Sequence, residues 1–202
     1  MGDCSAEVEF GGNAAPEAEV ASTPGLDASQ NVSTRRAKWT GGVEDVLMDC
    51  PVDAVWELAS DWANWQRWWP GNPTFELREG ENRKAGCLRY ATNVRSLPGA
   101  WVNERLLAID NEKHCFSYTV EANEVYGGLT GYIAEAQFRG TDDGKTLVEF
   151  FKYEVEPVTN QTPESWLFIM TNVYMSVVKD LERGAQRLAA GLDPKPEHTS
   201  RA

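Results

Sequence analysis

The sequence predicts an α+β domain in which a seven-stranded antiparallel sheet wraps around one long C-terminal helix, with two short helices after the first strand. Three observations predict this fold. One strand-like segment precedes two short helical segments, six more strand-like segments separated by turn residues occupy the middle of the chain, and apolar residues then recur at steps of three or four. Because such a helix must bury its apolar face, we expect it to pack on the concave face of the sheet.

The first part of the domain is predicted to contain one strand and two short helices. The first strand runs from Trp39 to Met48. Pro51 is expected to open the first helix, since a proline at the first helical position removes no N–H group that the helix needs. A second short helix is predicted within residues 61–70, where a Pro-Gly-Asn-Pro sequence ends it.

The next six strands are predicted to form three consecutive hairpins. Turn-forming residues separate the two members of each hairpin, at residues 80–83, 111–113 and 140–145. The predicted strands are residues 74–79, 86–95, 101–110, 114–121, 129–139 and 146–156. Together with the first strand they complete the seven-stranded sheet.

The C-terminal helix is predicted over residues 163–188. Its apolar residues form a helical stripe. Thr162 is expected to cap the N-terminus of the helix, and Gly191 is expected to end it. The stripe consists of Trp166, Met170, Val173, Tyr174, Val177, Leu181, Ala185 and Leu188. Most of these side chains are expected to belong to the core.

The globular domain is predicted over residues 37–190, with a disordered segment at each end. Residues 1–36 form an acidic N-terminal tail, in which positions 1–34 contain no Lys or Arg and are rich in Ala, Ser, Gly and Pro. Residues 191–202 form the C-terminal tail. Segments of the N-terminal composition offer too little apolar surface to offset the entropy lost on ordering.

Charge and composition exclude several classes of partner. The net charge is −12, which argues against nucleic acid and anionic membrane surfaces because both require clustered Lys and Arg. The longest apolar runs are too short to span a bilayer. A protein partner is left open, and the small apolar metabolite that we expect as partner is inferred from the predicted cavity described below.

The cysteines and histidines predict neither a metal site nor a cofactor. The four cysteines are scattered without a Cys-x-x-Cys pair, and the chain contains two histidines. No secretory signal is recognisable at the N-terminus. We therefore expect reduced, core-filling cysteines and a cytoplasmic location.

Strand alternation predicts a cavity beneath the long helix. On two neighbouring strands every second residue is apolar and is expected to point inward. Among these, Ala134 and Ala136 are small and leave room beneath the helix. The predicted ligand-binding residues are Phe116, Tyr118, Tyr132, Ala134, Met170, Val173, Trp101 and Leu97, of which Leu97 is expected to cover the mouth.

Arg89 and Glu104 are the candidate catalytic residues. Glu104 lies on the same strand face as the apolar residues Val102 and Leu106, where a carboxylate must be paired or protonated. Arg89 is expected to point inward from the neighbouring hairpin. An arginine offers a planar set of donors to an oxyanion, and a glutamate can transfer a proton. The alternative is a surface Arg–Glu pair between strands, which contributes little.

The chain also resembles a known family at four segments. Residues 38–41 (Lys-Trp-Thr-Gly), 51–58, 86–90 (Gly-Cys-Leu-Arg-Tyr) and 101–110 are similar to plant lachrymatory factor synthases. These enzymes belong to the polyketide cyclase/dehydrase and START-like (SRPBCC) superfamily, which includes the birch pollen allergen and the abscisic acid receptors. The resemblance covers residues 38–188 and implies a helix-grip fold.

The resemblance implies roles for individual residues. In the synthases, an Arg of the Gly-Cys-x-Arg-Tyr stretch and a Glu of the Trp-x-x-Glu stretch rearrange a small sulfenic acid by proton transfer. These positions are occupied here by Arg89 and Glu104. Tyrosines that line the synthase pocket match Tyr118 and Tyr132. The resemblance therefore implies a cofactor-free isomerase or cyclase from a plant.

Two segments depart from the synthase pattern. Residues 96–100 (Ser-Leu-Pro-Gly-Ala) are more similar to the gate of the abscisic acid receptors, whereas the receptor latch is replaced by Gly-Gly-Leu at residues 127–129. Losing both latch side chains argues against a hormone-gated receptor that docks a protein. The preferred hypothesis is an isomerase or cyclase, and the alternative is a carrier or sensor that binds a hydrophobic ligand without changing it.

Overall fold

The computed structural model describes residues 37–93 and 99–195. The predicted N-terminal tail, most of the predicted C-terminal tail and most of the expected gate, including Leu97, lie outside the described residues. The predictions for them stay predictions.

The described residues form the predicted seven-stranded antiparallel sheet. Its strand order is β1-β7-β6-β5-β4-β3-β2, so that every hairpin partner is a neighbour in the sheet and β1 closes against β7. The strands are β1 (Trp39–Met48), β2 (Thr74–Glu79), β3 (Leu88–Thr92), β4 (Trp101–Asp110), β5 (Cys115–Asn123), β6 (Ile133–Gly140) and β7 (Thr146–Val155). The predicted fold class is confirmed.

Three of the four helices among the described residues lie where the sequence places them, and the short 3-10 helix before β6 was not predicted. Helix α1 covers Val52–Ala59, a 3-10 helix covers Trp62–Arg67, another covers Val125–Gly127, and helix α2 covers Pro163–Ala189. Thr162 caps α2 as predicted: its side chain accepts from the backbone N–H of Ser165, whose side chain accepts from the N–H of Thr162. Pro51 differs from the prediction, because it has extended backbone angles and precedes α1.

Two predicted strands are too long because left-handed residues end them. Gly86 has a φ of 88° and Asn93 has a φ of 57°, so β3 is confined between them. Gly131 has a φ of 59°, and β6 accordingly begins two residues later than this glycine, instead of at residue 129. Such φ values lie outside the region of extended backbone, which is why alternation alone overestimated both strands.

The concave face of the sheet, the inner face of α2 and the segment with α1 and the first 3-10 helix enclose one hydrophobic core. Gly184 lets α2 approach this segment closely. A Cβ atom there would lie 2.8 Å from Cβ of Trp68 and 3.2 Å from Cδ1 of Leu58. The close contact joins residues 62–69, a tryptophan-rich segment with four tryptophans, to the long helix.

The cysteines differ in part from the expectation. Cys50 and Cys87 are free and buried. Burial, together with the charges of Glu182 and Asp49, raises the pKa of the Cys50 thiol to about 12. Cys115 is disulfide-bonded, so the expectation that all cysteines are reduced is wrong for this residue.

The described residues contain neither a helix that could cross a membrane nor a cluster of metal ligands. None of their helices is long and apolar enough to cross a membrane. Within residues 37–93 and 99–195, no three His, Cys, Asp or Glu side chains come together as a metal site requires.

Candidate functional site

A mostly apolar cavity of about 110 Å³ lies between α2 and the concave face of the sheet. Polar side chains of its wall come from the sheet, from α2 and from the connecting segments. They include Arg89, Glu104, Tyr118, Tyr132, Trp166 and Tyr174. The predicted cavity is therefore present, and it contains both candidate catalytic residues.

Arg89 and Glu104 form a buried ion pair in the cavity wall. They are directly opposite each other on β3 and β4. The Nε–H group of Arg89 donates to Oε2 of Glu104 at 2.7 Å, and the two residues are 2% and 9% exposed. Among the described residues, no donor bonds to Oε1 of Glu104. One carboxylate oxygen is thus fixed, and the other is left for a ligand.

The tryptophan-rich segment covers the guanidinium group of Arg89. The Cζ atom lies 3.4 Å from the ring centroid of Trp62 and 3.9 Å from that of Trp65. The Nη1 atom donates to the backbone oxygen of Trp62 at 2.7 Å. Burial lowers the pKa of Arg89, and the charge of Glu104 opposes this shift. Carboxylate, carbonyl and aromatic faces together compensate for the buried charge.

Asp61 holds the tryptophan-rich segment in place. This residue is 5% exposed, and its carboxylate accepts hydrogen bonds from Asn64 at 2.7 Å, from Asn82 at 2.6 Å and from Arg67. Burial would raise the pKa of Asp61, but the three hydrogen bonds outweigh burial and hold this pKa below its usual value. Asp61 therefore connects the hairpin of β2 and β3 to the segment that covers Arg89.

Replacing Asp61 by asparagine is expected to lower the free energy of unfolding by about 1–3 kcal/mol at pH 7, since buried donors lose a charged acceptor. The folded-state pKa lies below the unfolded one, so the stabilisation is present above the unfolded pKa, about 3.9, and is lost as the pH falls through the folded pKa. Urea unfolding from pH 7 downward measures this. The exposed turn residue Asp142 serves as control, and an equal effect of Asp142→Asn would contradict the prediction.

Three tyrosine hydroxyl groups meet beside the ion pair. The hydroxyls of Tyr132 and Tyr174 are hydrogen-bonded to each other, and the hydroxyl of Tyr118 interacts with both. Burial raises the pKa of all three, and for Tyr118 the charge of Glu104 adds to this effect. The three hydroxyl groups therefore stay protonated and act as hydrogen-bond donors.

The structure brings four of the eight predicted ligand-binding residues to the cavity and places three elsewhere. The four are Tyr118, Tyr132, Met170 and Val173. Phe116 packs among the rings of Trp62, Tyr118 and Phe151 outside the cavity wall. Ala134 is fully buried between its strand neighbours. Trp101 stacks on Tyr90, with 6.2 Å between ring centroids, and does not line the cavity. Leu97, the eighth, lies outside the described residues.

Several wall residues were not predicted as site residues. Trp65, Trp69 and Phe75 line the cavity. For this region the sequence shows a concentration of tryptophans within residues 62–69, but it does not show which of them reach the cavity. Tyr174 and Trp166 belong to the helical stripe, which was assigned to the core as a whole. The helical periodicity of the stripe does not distinguish residues that line the cavity from residues that lie in the core.

The connection between β5 and β6 forms another part of the wall that was not predicted. Val125, Tyr126 and Leu129 contribute to it. Tyr126 is 38% exposed and packs edge-on against Trp166, with 5.3 Å between ring centroids. The cavity therefore extends towards solvent on this side.

Comparison with known proteins agrees with this architecture. Residues 42–193 match the family described as polyketide cyclase / dehydrase and lipid transport. The fold of the chain is similar to that of major latex-like protein 151 of Panax ginseng, with a TM-score of 0.55, 18% identity, and coverage of 71% of this chain and 96% of that one.

Two bacterial structures are also similar. A protein of Nitrosospira multiformis has a TM-score of 0.55 at 17% identity and covers 76% of this chain and 99% of its own. An uncharacterised protein of Bacillus thuringiensis has a TM-score of 0.56 at 18% identity, with 74% and 99% covered. At these identities the three structures establish a shared fold.

Proposed function

Since this chain belongs to the polyketide cyclase / dehydrase and lipid transport family, we propose that it is a cofactor-free isomerase or cyclase of the lachrymatory factor synthase-like type. It rearranges a small, largely apolar metabolite by proton transfer in the cavity beneath α2. Glu104 transfers the proton, and Arg89 holds Glu104 in position and balances its charge.

The observation that supports this proposal best is the state of the Glu104 carboxylate. Its Oε2 atom is held by Arg89 at 2.7 Å, whereas Oε1 has no donor among the described residues and the residue lines the cavity. An oriented carboxylate at an apolar wall is suited to exchange a proton with a bound carbon or oxygen acid. A surface Arg–Glu pair would not be buried to this extent.

The size of the cavity restricts the substrate. Drug-sized ligands occupy about 300–1,000 Å³, and a cavity of about 150 Å³ accommodates benzene. The volume of about 110 Å³ therefore fits a compound of several heavy atoms rather than a long lipid chain. The small sulfenic acid that the resemblance implies falls within this range.

A non-catalytic carrier or sensor of a hydrophobic ligand is the second candidate. The wall is mostly apolar, and Arg89 and Glu104 already neutralise each other. Such a wall binds an apolar compound without any chemical step. The cytoplasmic location stays a prediction under either function.

The two functions are distinguished by what happens to the bound compound. Native mass spectrometry of the protein purified from its source identifies a co-purifying metabolite, and a small sulfenic acid generated in the assay is the first compound to add. Each is incubated with the protein in D₂O. An isomerase is expected to release a rearranged, deuterium-containing product faster than the uncatalysed reaction. Recovery of a bound but unchanged compound in both assays would support the carrier.

A further inference from the structure

Two of the five N–H groups of Arg89 bond to protein acceptors and Glu104 balances its charge, so a second group of donors in the wall is a candidate for binding a neutral substrate oxygen. The Nε–H group of Arg89 bonds to Glu104, its Nη1 bonds to the carbonyl of Trp62, and two tryptophan rings lie against the guanidinium group. The tyrosine hydroxyl cluster is a second set of donors in the cavity wall, beside the indole N–H of Trp166, which has no hydrogen-bond partner among the described residues.

The hydroxyl cluster can supply a donor to a ligand. Tyr118, Tyr132 and Tyr174 each carry one O–H group, and the hydrogen bond between Tyr132 and Tyr174 uses one of the three. The O–H group of Tyr118 can turn from the cluster towards an acceptor in the cavity, whose wall it forms. Since burial raises the pKa of all three hydroxyls, they stay protonated and can donate across the physiological pH range.

Tyr118 is the member of the cluster that is best placed beside Glu104. On the inner face of the sheet, Glu104 is opposite Val120, and Tyr118 is opposite Leu106, so that Glu104 and Tyr118 are diagonal neighbours. Besides burial, the charge of Glu104 raises the pKa of Tyr118, which agrees with this proximity. A ligand that reaches Oε1 of Glu104 therefore lies next to the Tyr118 hydroxyl.

From this arrangement we propose that Tyr118, supported by Tyr132 and Tyr174, binds the oxygen of a small neutral carbonyl compound with an acidic C–H group beside the carbonyl. This inference rests on the proposed function for its chemical step and names the class of substrate. A carboxylate base beside neutral hydroxyl donors is an arrangement that stabilises an enolate without a metal ion.

The step is an isomerisation of a β,γ-unsaturated ketone. Oε1 of Glu104 removes a proton from the carbon between the carbonyl and the double bond, and the electron pair forms a dienolate whose oxygen accepts from Tyr118. The protonated Glu104, whose proton exchanges with solvent, then gives a proton to the far carbon of the former double bond and becomes a carboxylate again. One C–H bond breaks and one forms, the double bond moves into conjugation, and no other reactant is needed.

Binding of three six-membered-ring probes tests the ligand class. Cyclohexanone has the oxygen acceptor, methylenecyclohexane has the same shape without it, and cyclohexanecarboxylate is anionic. NMR titration of the full-length protein is expected to show tightest binding of cyclohexanone. Tyr118→Phe keeps the ring and is expected to reduce the preference for cyclohexanone over methylenecyclohexane about 2–10-fold, the range for one hydrogen bond.

Tyr153 supplies a matched control. It is also a buried tyrosine, it stacks on Tyr132 with 5.8 Å between ring centroids, and its hydroxyl has no hydrogen-bond partner among the described residues. Because Tyr153 does not line the cavity, Tyr153→Phe is expected to leave the preference unchanged. A preference that survives in Tyr118→Phe, or absence of binding, would overturn the inference. Tighter binding of cyclohexanecarboxylate than of cyclohexanone would identify Arg89 as the anchor instead and would also overturn it.

Measurements of turnover test the proposed function separately from the ligand class. Conversion of 3-cyclohexenone to its conjugated isomer is followed by ultraviolet absorbance. If the ketone binds through Tyr118 and is not converted, and the D₂O assays also find no product, the proposed enzyme is wrong while the ligand class stands. Conversion that Tyr118→Phe reduces by about 10²-fold or more supports both, since removal of one oxyanion donor has effects of this size.

Discussion

Replacing Arg89 by leucine is expected to lower the free energy of unfolding by about 3–5 kcal/mol, because Glu104 would keep its buried position without its charged partner. The substitution also removes the donor to the carbonyl of Trp62 and the cation that lies against Trp62 and Trp65. Urea unfolding followed by circular dichroism measures the change without relying on tryptophan fluorescence, which the substitution itself would alter.

Arg105 provides the control on the neighbouring strand. It bonds to Glu121 and Glu79, and its side chain is 26% exposed, against 2% for Arg89. Arg105→Leu is expected to change stability by at most about 1 kcal/mol, as is usual for exposed pairs. Equal effects of the two substitutions would show that the inner pair is an ordinary structural pair. The double variant Arg89→Leu/Glu104→Leu is expected to recover part of the loss, since no lone charge remains buried.

Glu104→Gln is expected to reduce turnover by about 10²-fold or more while ligand affinity changes only a few-fold. Glutamine preserves the shape of the side chain and can still accept from Nε of Arg89, but it cannot exchange a proton. Turnover is measured on the co-purifying metabolite or on 3-cyclohexenone, and affinity is measured by NMR titration of cyclohexanone.

Glu121→Gln is the matched control for this substitution. Glu121 lies on the same sheet, is exposed, and also accepts from an arginine, Arg105. It is expected to leave both turnover and affinity unchanged. If Glu104→Gln retained full turnover, Glu104 would not be the proton-transfer group. If the unmodified protein showed no turnover and Glu104→Gln altered affinity alone, the carrier function would be favoured.

Arg89 illustrates which contacts of a site residue the sequence does not show. Its inward direction was predicted correctly, because residues alternate between the two faces of a strand. The sequence hypothesis assigned it to a substrate oxygen, which stays a prediction, and two of its five N–H groups bond to Glu104 and to the carbonyl of Trp62. The partner carbonyl comes from a segment that is remote in sequence, so the strand pattern contains no information about it.

The sequence by itself determined the seven strands, their pairing in hairpins, the long helix with its cap, and the burial of Arg89 and Glu104 on the inner face. These features follow from local periodicity, turn residues and capping residues, which act over a few positions of the chain. Trp101 was predicted to bind the ligand, but the same strand alternation that places Glu104 inward places Trp101 on the outer face of the sheet.

Only the tertiary structure decided which inward residues line the cavity. Phe116 and Ala134 face inward but are covered by other side chains, whereas Tyr174 reaches the cavity from α2 and Trp65 reaches it from the 3-10 helix. The periodicity of a strand gives the side on which a residue lies. Its depth depends on the curvature of the sheet and on the side chains packed over it, which come from distant parts of the chain.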